Sequence, residues 1–164
     1  MKKVAVIMGS DSDWPVVKGA VEQLKKFGIP YEAHILSAHR TPAAAAEFAS
    51  NARKNGFGVL ICAAGMAAHL AGAFAANCSL PIIGIPVKSK YLDGVDALLS
   101  TVQMPTGMPV ATVAIDGAAN AALLSIQMLA IADEELSKKY DEYRAKATAK
   151  VLKKDAAIRN EFAN

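Results

Sequence analysis

Cysteine, aromatic residues and charge are all scarce in this chain, and each scarcity removes a class of function. The two cysteines, Cys62 and Cys78, lie in apolar surroundings without CxxC spacing. They read as small buried thiols of a reducing compartment rather than a disulfide framework. Aromatic residues make up 6% of the chain, too few for the ring platforms a flavin carrier wants. Charged residues make up 20%, and the formal net charge is +3. Residues 1–132 hold ten Lys/Arg against eight Asp/Glu, and residues 133–164 hold eight against seven. Neither part offers the basic face that nucleic acid requires.

Several motifs are missing as well. The polar loop at Gly9 is followed by no GK[ST], and the chain has no GxGxxG, so neither a Walker loop nor a dinucleotide fingerprint is present. No ligand pair shows HxxxH or CxxC spacing, so metal dependence is not expected. From Asn55 to Val87 there is no Asp, Glu, Lys or Arg. Gly65, His69, Gly72, Pro81 and Pro86 punctuate that run, whereas a spanning helix needs about 20 predominantly apolar residues. A buried strand followed by a buried small-residue helix explains it better, and no membrane contact is expected. The five apolar residues Val4–Met8 behind Met1-Lys2-Lys3 are too few for a signal peptide, and Asp11 and Asp13 follow at once. A cytoplasmic protein is expected.

What is present is an alternation. Hydrophobic residues make up 53% of 164, enough for one domain with a sizeable core. Val4–Met8, Glu32–Leu36, Val59–Ala63, Ile82–Val87 and Val110–Ile115 read as strands, apolar on both faces, as a parallel sheet covered on both sides requires. Helices are expected over Trp14–Phe27, from Thr41-Pro42 to about Asn55, over Ala67–Ala76 and over Gly94–Val102. A last helical region runs from about Ala118 to Lys153, broken or bent around Ala132-Asp133. Five β-α units predict a flavodoxin-like α/β/α sandwich with a parallel sheet in the order 2-1-3-4-5. Residues 1–132 form that domain. Residues 133–164 are a helical extension whose Leu136, Tyr140, Tyr143, Val151 and Leu152 cover either their own domain or, as the completed sandwich favours, a neighbouring subunit.

That strand order brings three polar loops to one edge, where ligands of open parallel sheets bind. Gly9-Ser10-Asp11-Ser12-Asp13 joins a strand to a helix N-terminus, a place that favours anions. Asp13 either caps the helix or accepts from ribose hydroxyls. Ser37-Ala38-His39-Arg40 closes the second strand. His39 is the acid–base candidate, because an unperturbed imidazole titrates near neutrality. Arg40 offers a fork for phosphate or carboxylate, or else a surface ion pair. In the third loop, Ala64 to Leu70, His69 is either a capping or packing residue or a substrate contact. His34, inside the second strand, reads as structural, and Cys62 lies within a strand rather than at its end, so no nucleophile is apparent. A receiver domain would need an aspartate after the third strand, where Ala63-Ala64-Gly65 stands. The residues point to an enzyme acting on a small phosphorylated molecule, with a non-catalytic phosphate-binding module as the rival.

Jointly, Met8–Trp14, Ser37–Pro42, Gly65–Gly72, Gly84–Val87, Val102–Pro105, Gly107–Ile115 and Ala119–Leu124 closely resemble the class I PurE family. These are the N5-carboxyaminoimidazole ribonucleotide mutases of bacterial purine synthesis. The resemblance implies a cytoplasmic homo-octamer without metal or cofactor, moving a carboxylate from the exocyclic amine of a phosphorylated aminoimidazole ribonucleotide to ring carbon C4. It implies His39 as catalytic and Ser10, Asp13 and Arg40 as substrate-binding, with Ser12, Ser37, Ala38, Gly65, Met66, Ala67, His69 and Leu70 lining the same pocket. Two positions depart from the family's usual Gly-Gly-Ala-Ala-His-Leu-Pro-Gly: Met66 adds bulk, and Ala71 removes a rigid proline. The related class II carboxylases, which use CO2 directly, resemble the first loop but carry lysine at the arginine position and lack Ala-Ala-His-Leu. Arg40 and His69 favour the mutase.

Overall fold

The computed structural model describes residues 1–162. Five parallel strands, β1 (Lys3–Met8), β2 (Tyr31–Ile35), β3 (Phe57–Gly65), β4 (Ile82–Val87) and β5 (Ala111–Thr112), lie in the order β2-β1-β3-β4-β5. Six helices connect and flank them: α1 (Trp14–Phe27), α2 (Pro42–Asn51), α3 (Leu70–Asn77), α4 (Val95–Val102), α5 (Ala118–Ala130) and α6 (Glu134–Glu161). The flavodoxin-like sandwich expected from the sequence is the fold.

Alternation within the strands builds two cores. Val4, Val6, Ile61, Ala63, Ile83 and Ile85 face α1, α5 and the start of α6, while Ala5, Ile7, Leu60, Cys62 and Ile82 face α2 and α3. The three central strands are buried on both faces, which is why they carry almost no polar residue. At Gly84 the sheet admits no side chain, because a Cβ there would run into Thr101 of α4. Helix α1 ends where Gly28 takes φ +73° and its amide donates back to Leu24 and Lys25.

Four expectations need correction. β2 is not apolar on both faces: as an edge strand it is half-exposed, with Glu32 bound to Lys3 at 2.6 Å and to His34 at 3.2 Å. Charge on an edge discourages pairing with other chains. β5 spans two residues rather than Val110–Ile115, because Gly117 N–H donates to Ala114 O and turns the chain toward α5. α2 stops at Asn51, and α3 starts at Leu70 rather than Ala67, since the Ala68 and His69 amides donate two residues back, to Met66 O and Ala67 O, in tight turns rather than helical bonds.

The C-terminal extension starts on its own domain. Leu136 is 1% exposed within the first core, and Tyr140 and Tyr143 pack on the Phe27 ring at 6.2 and 5.4 Å between centroids. Those three side chains cover their own domain. From Asp141 to Phe162 the helix is exposed, including Val151, Leu152 and Ile158; residues 163 and 164, the end of the expected extension, lie outside the described residues.

Candidate active site

The C-terminal ends of β1, β2, β3 and β4 surround one cavity of about 530 Å³. Ser10, Ser12, Asp13, Ser37, Ala38, His39, Arg40, Gly65, Met66, Ala67, His69 and Leu70 all line it, so every candidate drawn from the sequence is brought to one place. Val87, Lys88 and Ser89, at the end of β4, complete the wall and were not anticipated. The available signal was topological: β4 follows β3 in the sheet, with Val87 paired to Gly65, so its end belongs to the same edge.

The first loop is braced from within. Ser10 Oγ accepts from Ser12 N–H at 3.4 Å, and Ser10 N–H donates to Asp13 Oδ2 at 3.1 Å. Asp13 thus bonds backward to its own loop and gives α1 no side-chain cap, unlike the capping role considered for it. Burial pushes its carboxyl above the ordinary aspartate range, opposed by the Ser10 and Gly9 amides and by the Arg40 charge.

That shift has a consequence for stability. The folded protein holds the Asp13 proton more tightly than the unfolded chain does. Its contribution is therefore most favourable below the unfolded pKa, and declines as pH rises through the folded value. Ionisation of this buried carboxyl therefore costs stability, a cost that sites retain for function. Asp13→Asn is expected to leave the melting temperature at pH 7 unchanged or higher while raising KM about tenfold or more, the loss of a charge-assisted contact. A calorimetric melt and a substrate titration check both parts.

The second loop is wound tight by its hydroxyls. Arg40 N–H donates to Ser37 Oγ at 3.1 Å, Ser37 N–H donates to Thr41 Oγ1 at 2.9 Å, and Thr41 Oγ1–H donates to Ser37 O at 3.1 Å. This turn sends the Arg40 guanidinium across to β1, where Nη2 donates to Gly9 O at 2.8 Å. Arg40 is thus tied to the first loop rather than to a surface acid.

The third loop presents His69. Its side chain caps nothing; its carbonyl accepts from Ala73 N–H, and its Nδ1 lies 3.0 Å from His39 Nε2, with the two rings near perpendicular. A contact of that length needs one proton between the two nitrogens, so each ring constrains the other's tautomer. His34 stacks on Phe48, with ring centroids 4.8 Å apart, as a structural residue. Cys62 is fully buried, and burial pushes its thiol far up, away from nucleophilic use. Among the described residues no three His, Cys, Asp or Glu side chains gather as a metal site, and no helix is long and apolar enough to cross a membrane.

The paired imidazoles, the arginine and the serine-rich helix entry share one cavity at the strand ends of a doubly covered parallel sheet, the edge where such folds bind small molecules. The chain belongs to the AIR carboxylase family, whose profile matches residues 3–150. It is 57% identical over 143 residues to the N5-carboxyaminoimidazole ribonucleotide mutase of Saccharolobus solfataricus, covering 87% of this chain and 90% of that one. It is 51% identical over 154 residues to the mutase of Thermotoga maritima, covering 94% and 90%. The chloroplastic phosphoribosylaminoimidazole carboxylase of Vigna aconitifolia is 49% identical over 147 residues, 90% of this chain but 26% of that longer protein. Among solved structures, Treponema denticola PurE superposes with a TM-score of 0.84 at 27% identity, covering 94% of this chain and 96% of that one.

Proposed function

We infer that the chain is an N5-carboxyaminoimidazole ribonucleotide mutase, an isomerase of purine biosynthesis. Relatives 51–57% identical over most of the chain carry that name. Within the molecule, the reading is carried by the imidazole pair, His39 and His69 at 3.0 Å, on the wall of a cavity that also holds Arg40 and the first loop.

The chemistry moves one carboxylate and one proton. The first loop, its serines and Arg40 hold the phosphate and ribose, and set the aminoimidazole against His39. The bond from the exocyclic nitrogen to the carboxylate carbon breaks, releasing CO2, and the nitrogen takes a proton from His39. Ring carbon C4 then attacks the CO2, and its proton returns to His39 as aromaticity is restored. The proton given in the first step is recovered in the second, so no co-reactant is consumed. His69 acts through His39: its Nδ1 fixes which His39 nitrogen carries the proton and which way the ring faces.

CO2 must stay beside the ring between the two steps, and enclosure supplies that proximity. In one subunit His39, Arg40, Met66 and His69 are all exposed. We therefore take the working enzyme to be a homo-oligomer, an octamer by its family resemblance, residing in the cytoplasm, with a neighbouring subunit closing the cavity. The exposed length of α6 beyond Tyr143 is the segment available to reach that neighbour.

The second reading, direct carboxylation of aminoimidazole ribonucleotide, is favoured by the name of the Vigna aconitifolia relative. Product analysis separates the two. The purified protein is expected to convert the N-carboxylated substrate to the C4-carboxylated product at a rate independent of added bicarbonate. Turnover of aminoimidazole ribonucleotide that depends on bicarbonate, with no conversion of the N-carboxylated compound, would establish the carboxylase instead.

A further inference from the structure

The end of β4 carries a cation that neither the acid–base pair nor the arginine site uses. Apart from the two histidines, the ionisable side chains lining the cavity are Asp13, Arg40 and Lys88. Arg40 is already engaged with Gly9 O and faces Asp13. The substrate of the proposed reaction bears a phosphate of about −1.5 to −2 charge and a carboxylate besides. One arginine opposed by one aspartate leaves much of that charge uncompensated, and Lys88 is the remaining cationic side chain in the wall.

The backbone of Lys88 is held firmly and its side chain loosely. Lys88 N–H donates to Asp116 Oδ1 at 2.9 Å, and Asp116 N–H donates in turn to Pro86 O at 2.9 Å, fixing the residue just past the sheet beside the Gly65–Met66 loop. The loop after it folds back so closely that a Cβ at Gly94 would lie 3.2 Å from Lys88 Cα. Among the described residues the ammonium is held by Asp93 Oδ1 alone, at 3.1 Å, with the two side chains 58% and 79% exposed. An ion pair so open to water holds weakly, and a lysine on a four-carbon stem redirects readily.

We propose that Lys88 is a substrate-binding residue whose ammonium leaves Asp93 for an anionic oxygen of the bound substrate, so that Asp93 competes with the substrate for it. This rests on the mutase reading above. Steady-state kinetics of the full-length protein with N5-carboxyaminoimidazole ribonucleotide test it. At low ionic strength Lys88→Met is expected to raise KM about tenfold or more with kcat changed less than about twofold, the signature of lost ground-state binding. The difference should shrink as salt is added, and Lys88→Arg should recover most of it. Asp93→Asn, which keeps a residue tolerant of φ +53°, should lower KM by freeing the ammonium.

Inhibition by ribose 5-phosphate assigns the oxygen. Weaker inhibition of Lys88→Met places the contact at the phosphate, and unchanged inhibition with raised KM places it at the carboxylate. A Lys88→Met KM within about twofold of the wild type, or equal KM values for the Met and Arg variants, overturns the proposal. Wild-type protein in the same series keeps the two questions apart. Should it fail to turn over, the mutase reading fails, no N-carboxylate is left for Lys88 to meet, and unchanged calorimetric binding of ribose 5-phosphate by Lys88→Met then overturns the proposal as well.

Discussion

His39→Asn is expected to abolish turnover, by at least about 100-fold in kcat, while the substrate still binds. Asparagine keeps the volume and a hydrogen bond toward His69 Nδ1, but it exchanges no proton near neutral pH. The geometry makes the test sharp. His39 lies within a turn closed by bonds among Ser37, Arg40 and Thr41, none of which uses its side chain, and it touches His69 with Nε2, so the substitution leaves the cavity's shape intact. Binding measured by calorimetry alongside kcat separates loss of chemistry from loss of the site. Retention of more than about a tenth of the activity would remove His39 from the acid–base role, since such groups contribute at least 100-fold.

The second large effect is on folding and assembly, and it needs two truncations. Ending the chain after Ala132 removes Leu136 from the core and Tyr140 and Tyr143 from Phe27. Loss of a buried leucine alone costs about 2–5 kcal/mol, against a total of about 5–15 kcal/mol for a domain. That protein is expected to be unfolded or close to it, whatever its assembly state. Ending after Ala145 instead keeps those contacts and removes only the exposed length of α6, with Val151, Leu152 and Ile158. Its subunits should fold, and light scattering should find species smaller than those of the full chain. An intact assembly after the Ala145 cut would take the exposed half of α6 out of the subunit contact, and a full-length monomer that is active would refute the oligomer altogether.

Sequence and tertiary structure divided the work unevenly along this chain. The central strands, helix α1 and the three polar loops were legible because local rules govern them. Strands buried on both faces must be apolar throughout, Pro15 and Gly28 punctuate α1, and βα loops carry the hydroxyls and charges that a strand interior excludes. The order 2-1-3-4-5 then sufficed to gather His39, Arg40 and His69 at one edge.

What only the folded chain decided were contacts whose partners are distant in sequence. Asp13 looked like a helix cap, and only burial and the Ser10 amide show it turned back into its loop. The shortening of β5 follows from a turn that forms against β4, and the late start of α3 from the tight turns that the Ala68 and His69 amides close. No periodicity reveals that Lys88 joins the cavity, because its place there comes from the pairing of β4 with β3 and from Asp116, 28 residues further on. Local propensity sees a residue's neighbours in the chain. The pairing of His39 with His69, the destination of Leu136 and the position of Lys88 were set by packing between segments, which only the tertiary structure brings together.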